Sequence, residues 1–459
     1  MRILLISANR ERSPYPVFPI GLAYLSVPLR KAGHELSALD LCFESEPEKA
    51  LSRRIADFSP EVVCISIRNI DNVTWPASRS YLESVKSIVS ACRPLRTVVG
   101  GSGFSLMPLE ILDFLEADYG VVGEGEEIMP ILAGRLERGE DVSDLPGVLQ
   151  SGGDRFIPPL QVKNIGTPDR TLFDVARYQR EGGMANVQTK RGCPFHCIYC
   201  TYPLLEGRTM RVRPVGEVIA ELKSLVDSGV SYIYFVDDIF NYPMEYAGEL
   251  CRTMIVAKMC LNWSAFINPA HITPELLDEM LAAGCDAVEF GTEAGSPVML
   301  QKLGKSFTVD QVRTASLLCR QRGVDFAHYI LFGGPGETSE TALETFALMD
   351  ELEPTAVIAM IGIRIFPGTA LHQTALDEGM ITADTNLLEP VFYISPHLRE
   401  TVADLVTGEA MKRRNWVVPG LEVNISDAML EAVRLFVVKG PLWKLMKRTG
   451  RSHLRPLHG

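Results

Sequence analysis

The segment Arg191-Gly192-Cys193-Pro194-Phe195-His196-Cys197-Ile198-Tyr199-Cys200 constrains this chain more than any other, because it sets three cysteines at C-x3-C-x2-C spacing. Thiolates this close in sequence cannot serve three separate strands or helices, so they converge on one object. Three thiolates can ligate three irons of a four-iron cluster and leave the fourth iron open to a ligand that is not protein. Two other readings compete with it. A zinc knuckle needs a fourth ligand, which His196 inside the triplet is poorly spaced to supply. Three core thiols lying close by coincidence are disfavoured by Gly192 and Pro194, which mark an exposed loop.

The other seven of the ten cysteines sit where a small apolar residue would also fit, as Cys64 does in Val62-Val63-Cys64-Ile65-Ser66. They read as buried thiols in a reducing, cytoplasmic compartment. With 46% hydrophobic and 22% charged residues the composition is that of an ordinary globular protein, long enough for two or three domains. A net charge of -12 argues against broad binding to nucleic acid, which needs a basic surface, and no apolar run approaches a transmembrane length. A small-molecule substrate is the expectation.

After the cysteine loop the pattern alternates short apolar runs with amphipathic stretches, a parallel β/α order. Six strands are predicted: Ala185 to Thr189, Tyr232 to Val236, Asn262 to Phe266, Ala287 to Phe290, Asp325 to Leu331 and Val357 to Ile365. Ligands of such barrels sit at the carboxyl ends of the strands. That rule selects Asp237 and Asp238, Glu293, the glycines Gly333 and Gly334 of Phe332-Gly333-Gly334-Pro335-Gly336-Glu337, and Arg364. Each has a plainer alternative: a helix cap for the aspartates, a tight turn for the glycines, a neighbouring acid for Arg364.

The cysteine loop, with Tyr199 just before its last cysteine, resembles the signature of the radical S-adenosylmethionine (SAM) enzymes. The resemblance implies a partial (β/α)6 TIM-type barrel, with Cys193, Cys197 and Cys200 holding a 4Fe-4S cluster whose open iron chelates SAM. It further implies Tyr199 near the adenine, Asp237 or Asp238 near the methionine amine, Glu293, Gly333 and Gly334 on SAM, and Arg364 on its carboxylate. An electron donor such as flavodoxin or ferredoxin goes with that chemistry.

Residues 1–150 read as a separate doubly wound, Rossmann-like α/β unit. Its strands are Arg2 to Ser7, Glu35 to Leu39, Val62 to Ile67, Thr97 to Val99 and Tyr119 to Val122. Ligands of such sheets bind beyond the carboxyl ends of the strands. Those ends carry Arg68 and Asn69, then Gly100 and Gly101, then Gly123 and Glu124. No G-x-G-x-x-G spacing with an acidic partner occurs, so a nicotinamide cofactor is not favoured. Joined to the barrel, this unit is similar to the cobalamin-binding domain of cobalamin-dependent radical SAM enzymes. The Asp-x-His-x-x-Gly motif that ligates cobalt in many cobalamin proteins is absent, and His34 is the only histidine before the barrel. Arg68 resembles the position facing the lower side of cobalt in a methyltransferase of this group.

Residues 151–180 are expected as linker, 181–382 as the barrel, and 383–459 as a small helical cap at the barrel mouth, with helices near Leu398 to Val406 and Asp427 to Val438. The basic run Lys439, Lys444, Lys447, Arg448, Arg451 and Arg455 beside Trp443 is expected as solvated tail or as a contact for an anionic surface. The resemblance implies a methyltransferase passing a methyl group from SAM through cobalamin to a small molecule or natural-product intermediate. Alternatives are a cyclisation, rearrangement or oxidation without methylation, a methylthiotransferase with a further cluster, and a corrinoid or iron-sulfur sensor.

Overall fold

The computed structural model describes residues 1–153, 156–426, 429–430 and 439–449. Hydrophobic runs such as Arg2-Ile3-Leu4-Leu5-Ile6-Ser7, apolar on both faces, suit a parallel strand covered by helices on either side, and all but Arg2 of this strand are buried. The first sheet comprises β1 (Arg2–Ser7), β2 (Glu35–Asp40), β3 (Val62–Ser66), β4 (Arg96–Gly100), β5 (Tyr119–Val121) and β6 (Val148–Gln150). Its order is β2-β1-β3-β4-β5-β6, parallel except for the β5–β6 pair. The expected five strands are all there; β6, three residues with an exposed Gln150, is too short for periodicity to reveal.

The second sheet opens with β7 (Ala185–Val187) and is followed by a small hairpin of β8 (Lys190–Arg191) and β9 (Arg211–Val212) that frames the cysteine loop. It continues through β10 (Tyr232–Phe235), β11 (Asn262–Ile267), β12 (Cys285–Glu293), β13 (Asp325–Phe332) and β14 (Ala356–Ile361). Two short strands, β15 (Ile363–Arg364) and β16 (Phe392–Tyr393), pair with each other, and β17 (Trp416–Val417) completes the set. The order β7-β10-β11-β12-β13-β14-β17 is parallel throughout. Six strands were expected and seven pair; the seventh comes from beyond residue 382, in a stretch carrying no strand-length run. The predicted strand Val357 to Ile365 is broken at Gly362, whose φ of 72° turns the chain out of the barrel sheet. Among the described residues β7 and β17 do not pair, so the barrel is open.

Intervening helices start where the sequence offers caps: Thr308 and Thr338 each close a capping box with the residue three positions on, contributing roughly 1 kcal/mol apiece. The segment expected as linker holds a helix, Val175–Gly182, whose Tyr178 hydroxyl donates to Asp40 at 2.6 Å. Arg170, just before it, pairs with buried Glu221 of the barrel at 2.7 Å.

The carboxyl-terminal expectation needs correction. A helix lies at Val402–Ala410, close to the predicted one, while nearly all of Asp427 to Val438 falls outside the described residues. Ser395 donates its N–H to the Gly333 carbonyl, so that stretch covers the mouth. Trp443 and Lys444 are at the opposite end. Trp443 is 8% exposed and packs on Ala287, Ala327 and Ala356 at the amino ends of the strands, and Lys444 pairs with Asp286 at 2.7 Å. This part of the tail is docked on the barrel floor rather than solvated; Lys447, Arg448, Arg451 and Arg455 lie outside the described side chains.

Candidate functional site

The carboxyl ends of the two sheets border one cavity of about 610 Å³. From the first sheet come all six residues expected there: Arg68, Asn69, Gly100, Gly101, Gly123 and Glu124. From the barrel side come Thr201, Tyr202 and Glu206, which follow the cysteine loop, with Val236 and Phe366. Gly101 is required by geometry, since its φ is 100° and a Cβ there would lie 2.6 Å from the Ile67 carbonyl oxygen. Asn9, just past β1, also lines the cavity, and its buried Nδ2 has no hydrogen-bond partner among the described residues. A large cleft bordered by glycine turns and an unsatisfied amide suits a bulky ligand rich in amide groups, as cobalamin is. No histidine lines it, and His34 lies at the far, amino-terminal end of the sheet beside Met1.

The cysteine loop is held by its backbone. Gly192 has a φ of 92°, and a Cβ there would meet the Thr209 carbonyl at 2.4 Å. Cys193 donates its N–H to the Gly207 carbonyl, Ile198 to the Leu303 carbonyl, and Leu371 to the Ile198 carbonyl, so the loop is pinned across the barrel mouth. Cys193, Cys197 and Cys200 lie near enough for their charges to act on one another. Burial pushes Cys193 up to about 11 and Cys200 up to about 12, so binding of a metal must release their protons. Among the described residues no three His, Cys, Asp or Glu side chains could hold a single metal ion.

Tyr199 and Glu293 are brought together. The Tyr199 hydroxyl donates to Glu293 Oε1 at 2.8 Å, and Lys305 Nζ, which sequence reasoning missed, lies 3.3 Å from the same oxygen. Glu293 sits at φ 64°, a left-handed conformation held at a strand end beside the cluster loop. Burial first, and then the charge of Glu293, drives the Tyr199 hydroxyl well above its ordinary value.

The two aspartates part company. Asp237 is consumed internally: its carboxylate accepts from Thr189 N at 2.6 Å, Lys190 N at 3.2 Å and the Thr189 hydroxyl, with Lys190 Nζ 3.7 Å away. It ties β10 to the end of β7 and has nothing left to offer a ligand. Asp238 is the available one, since its buried Oδ2 has no partner among the described residues. Burial, then the charge of Glu206, raises its pKa well above the usual carboxylate range.

Three further expectations are corrected. The Gly333 and Gly334 amides are not free for an adenine, because both donate to Oε2 of Glu337, a fully buried carboxyl that burial pushes up to about 7. Arg364 does not reach toward the cysteine loop. Its Nε binds Asp71 Oδ2 at 2.9 Å and its Nη2 the Leu387 carbonyl at 2.7 Å, tying the barrel to the loop after β3. Glu124 lines the cavity, but its two oxygens are taken by Arg191 at 2.9 Å and Arg211 at 2.6 Å, which outweigh the effect of burial and keep its pKa low. The alternative weighed for Arg364, a neighbouring acid, is the one realised. The rule that picked strand ends would have picked Asn9 and Asp71 had it been extended by a few residues, whereas Glu206, after the helix that follows the cysteine loop, carried no such signal.

Known proteins share this architecture. Residues 6–133 match the B12 binding domain and residues 187–349 the Radical SAM superfamily. Tryptophan 2-C-methyltransferase of Streptomyces laurentii is 25% identical over 448 residues, covering 82% of this chain and 74% of that protein. Hopanoid C-3 methylase of Methylococcus capsulatus is 31% identical over 320 residues, covering 67% of this chain and 60% of that protein. Among solved structures, the radical S-adenosylmethionine methyltransferase TsrM from Kitasatospora setae, with cobalamin and a 4Fe-4S cluster bound, superposes with a TM-score of 0.86. The superposition covers 97% of each chain at 24% identity, a likeness of fold. With both sheets, the cysteine loop and the shared cavity accounted for, the chain carries a B12 binding domain over residues 6–133 and a Radical SAM domain over residues 187–349.

Proposed function

We propose that this chain is a cobalamin-dependent radical SAM methyltransferase acting on a small molecule. The observation that carries the reading is the shared cavity: the helix after the cysteine loop and the carboxyl ends of the first sheet border one space. When bound, the 4Fe-4S cluster, SAM and cobalamin supply reductive cleavage of SAM and carriage of a methyl group.

The chain's own residues bind and orient. Cys193, Cys197 and Cys200 would hold the cluster. Asp238, with its free buried oxygen, would accept a hydrogen bond from the SAM ammonium. Tyr199 is fixed by Glu293 and Lys305 within the cysteine loop. Asn9, Asn69 and the amides around Gly100, Gly101 and Gly123 would hold cobalamin, with Arg68 lining the same cavity. A charged guanidinium has no lone pair to give, so Arg68 would orient the cofactor without ligating its metal. A flavodoxin or ferredoxin would supply electrons, and ten unpaired cysteines support residence in the cytoplasm.

Anaerobic reconstitution with iron, sulfide, cobalamin and SAM tests the reading. 5'-Deoxyadenosine and S-adenosylhomocysteine should both rise with a competent metabolite, and Cys→Ala at positions 193, 197 and 200 should abolish the former. S-adenosylhomocysteine alone would indicate polar methyl transfer. 5'-Deoxyadenosine without S-adenosylhomocysteine would replace methylation by cyclisation, rearrangement or oxidation.

A further inference from the structure

The barrel interior holds a carboxylate that no cation among the described residues neutralises. Glu289, midway along β12, is 1% exposed. Three neutral groups donate to it: Trp443 Nε1 at 2.9 Å from the floor, the Tyr234 hydroxyl at 3.0 Å, and the Tyr329 hydroxyl. No lysine, arginine or histidine among the described residues pairs with it. Most other buried carboxylates around the two sheets are matched: Asp237 by Lys190, Asp71 by Arg364, Glu221 by Arg170 and Arg213, Glu293 by Lys305; Asp238, beside the cysteine loop, is not. Glu337 also lacks a cation, but its carboxyl is closed in beneath the amides it holds.

Around Glu289, along β10, β11, β13 and β14, the residues facing the helices are buried, while the inward Tyr234, Phe266, Tyr329, Ile358 and Met360 keep some exposed surface. Tyr234, Phe266 and Tyr329 form a continuous aromatic arc, with ring centroids 6.4 Å and 4.9 Å apart. Tyr15, from the loop after β1, lies where the charges of both Glu289, inside the barrel, and Arg68, which lines the cavity above, act on it. Aromatic faces around an unpaired carboxylate make a site for a cation.

We propose that the substrate is cationic, and that its ammonium or protonated ring nitrogen enters the barrel lumen to pair with Glu289 between Tyr234, Phe266 and Tyr329. This deepens the proposed function and rests on it. Glu289 and the three rings are specificity-determining residues, placing the far end of the substrate so that its reacting carbon points to the cavity.

Equilibrium dialysis of the reconstituted protein at pH 7 tests this with two matched pairs, benzylamine against benzyl alcohol and 2-phenylethylamine against 2-phenylethanol. The amines should bind about tenfold or more tightly than the alcohols. Glu289→Gln should erase that preference, and Tyr329→Leu should weaken the amines while leaving the carboxylate in place. Melting curves and the cluster and cobalamin absorption bands confirm that each variant is folded; should Glu289→Gln not fold, Tyr329→Leu and Phe266→Leu carry the test. Equal binding within each pair, no binding of either amine, or a preference that survives Glu289→Gln would overturn the proposal. Loss of the cofactor bands in the wild type would instead overturn the proposed function, so the two failures are distinguishable.

Discussion

Arg364→Met is the most informative single change to the scaffold of the cavity. Arg364 is 5% exposed and Asp71 2%, and they join residues 293 apart in sequence. Methionine keeps most of the apolar stem but withdraws the charged guanidinium, which lies over the Phe366 ring. Asp71 would then keep only the N–H of Val73, at 2.8 Å, and the Ile365 and Leu387 carbonyls would lose their donor. An uncompensated buried charge costs about 3–5 kcal/mol. Asp71→Asn in the Arg364→Met background removes that charge, so the double variant should be more stable than the sum of the single changes by about 2–3 kcal/mol. Urea unfolding of all four proteins gives the cycle. Because the two sheets need not unfold together, hydrogen exchange of residues 68–81 reports the local opening directly. If Arg364→Met lies within about 1 kcal/mol of wild type, or the double variant is simply additive, the pair is not what fixes this loop.

Three further outcomes follow from the geometry. Glu337 has its folded pKa raised from 4.5 to about 7 by burial, so its contribution to stability is full below pH 4.5, falls as pH rises to about 7 and is constant above. Measured as wild type minus Glu337→Gln, that loss should be on the order of 3 kcal/mol, and a flat difference would contradict it. Gly101→Ala should destabilise by about 1–3 kcal/mol and weaken cobalamin binding in a titration, since its Cβ has no room at φ 100°. Trp443→Ala should cost about 3–5 kcal/mol by thermal melting, because the indole fills the barrel floor and bonds Glu289.

The order of strands and the position of the cysteine loop were legible because both are local signals: apolar runs of strand length, and three cysteines in one turn of chain. Carboxyl-end placement also followed, since Arg68, Asn69 and the paired glycines reach the cavity by topology alone. Pairing was not legible. Asp237 and Asp238 are neighbours with one composition, yet one is consumed by Thr189 and Lys190 and the other is not, a difference set by partners distant in sequence. Arg364 and Glu124 misled for the same reason, their counter-charges lying on the other sheet. Trp443 and Lys444 looked like tail because a basic run carries no sign of the aspartate it meets.

The same long-range contacts bear on how the molecule is made. Asp71 waits for Arg364, and Glu289 for a tryptophan 154 positions later, so loop closure must be completed before either buried acid is relieved. Each sheet can assemble from neighbours, but the contacts that shape the space between them have high contact order. A nascent chain therefore carries two half-built walls for most of its synthesis. Slow translation, or chaperones that hold the first sheet until the last strands emerge, would raise the yield of competent protein more than any gain in local stability.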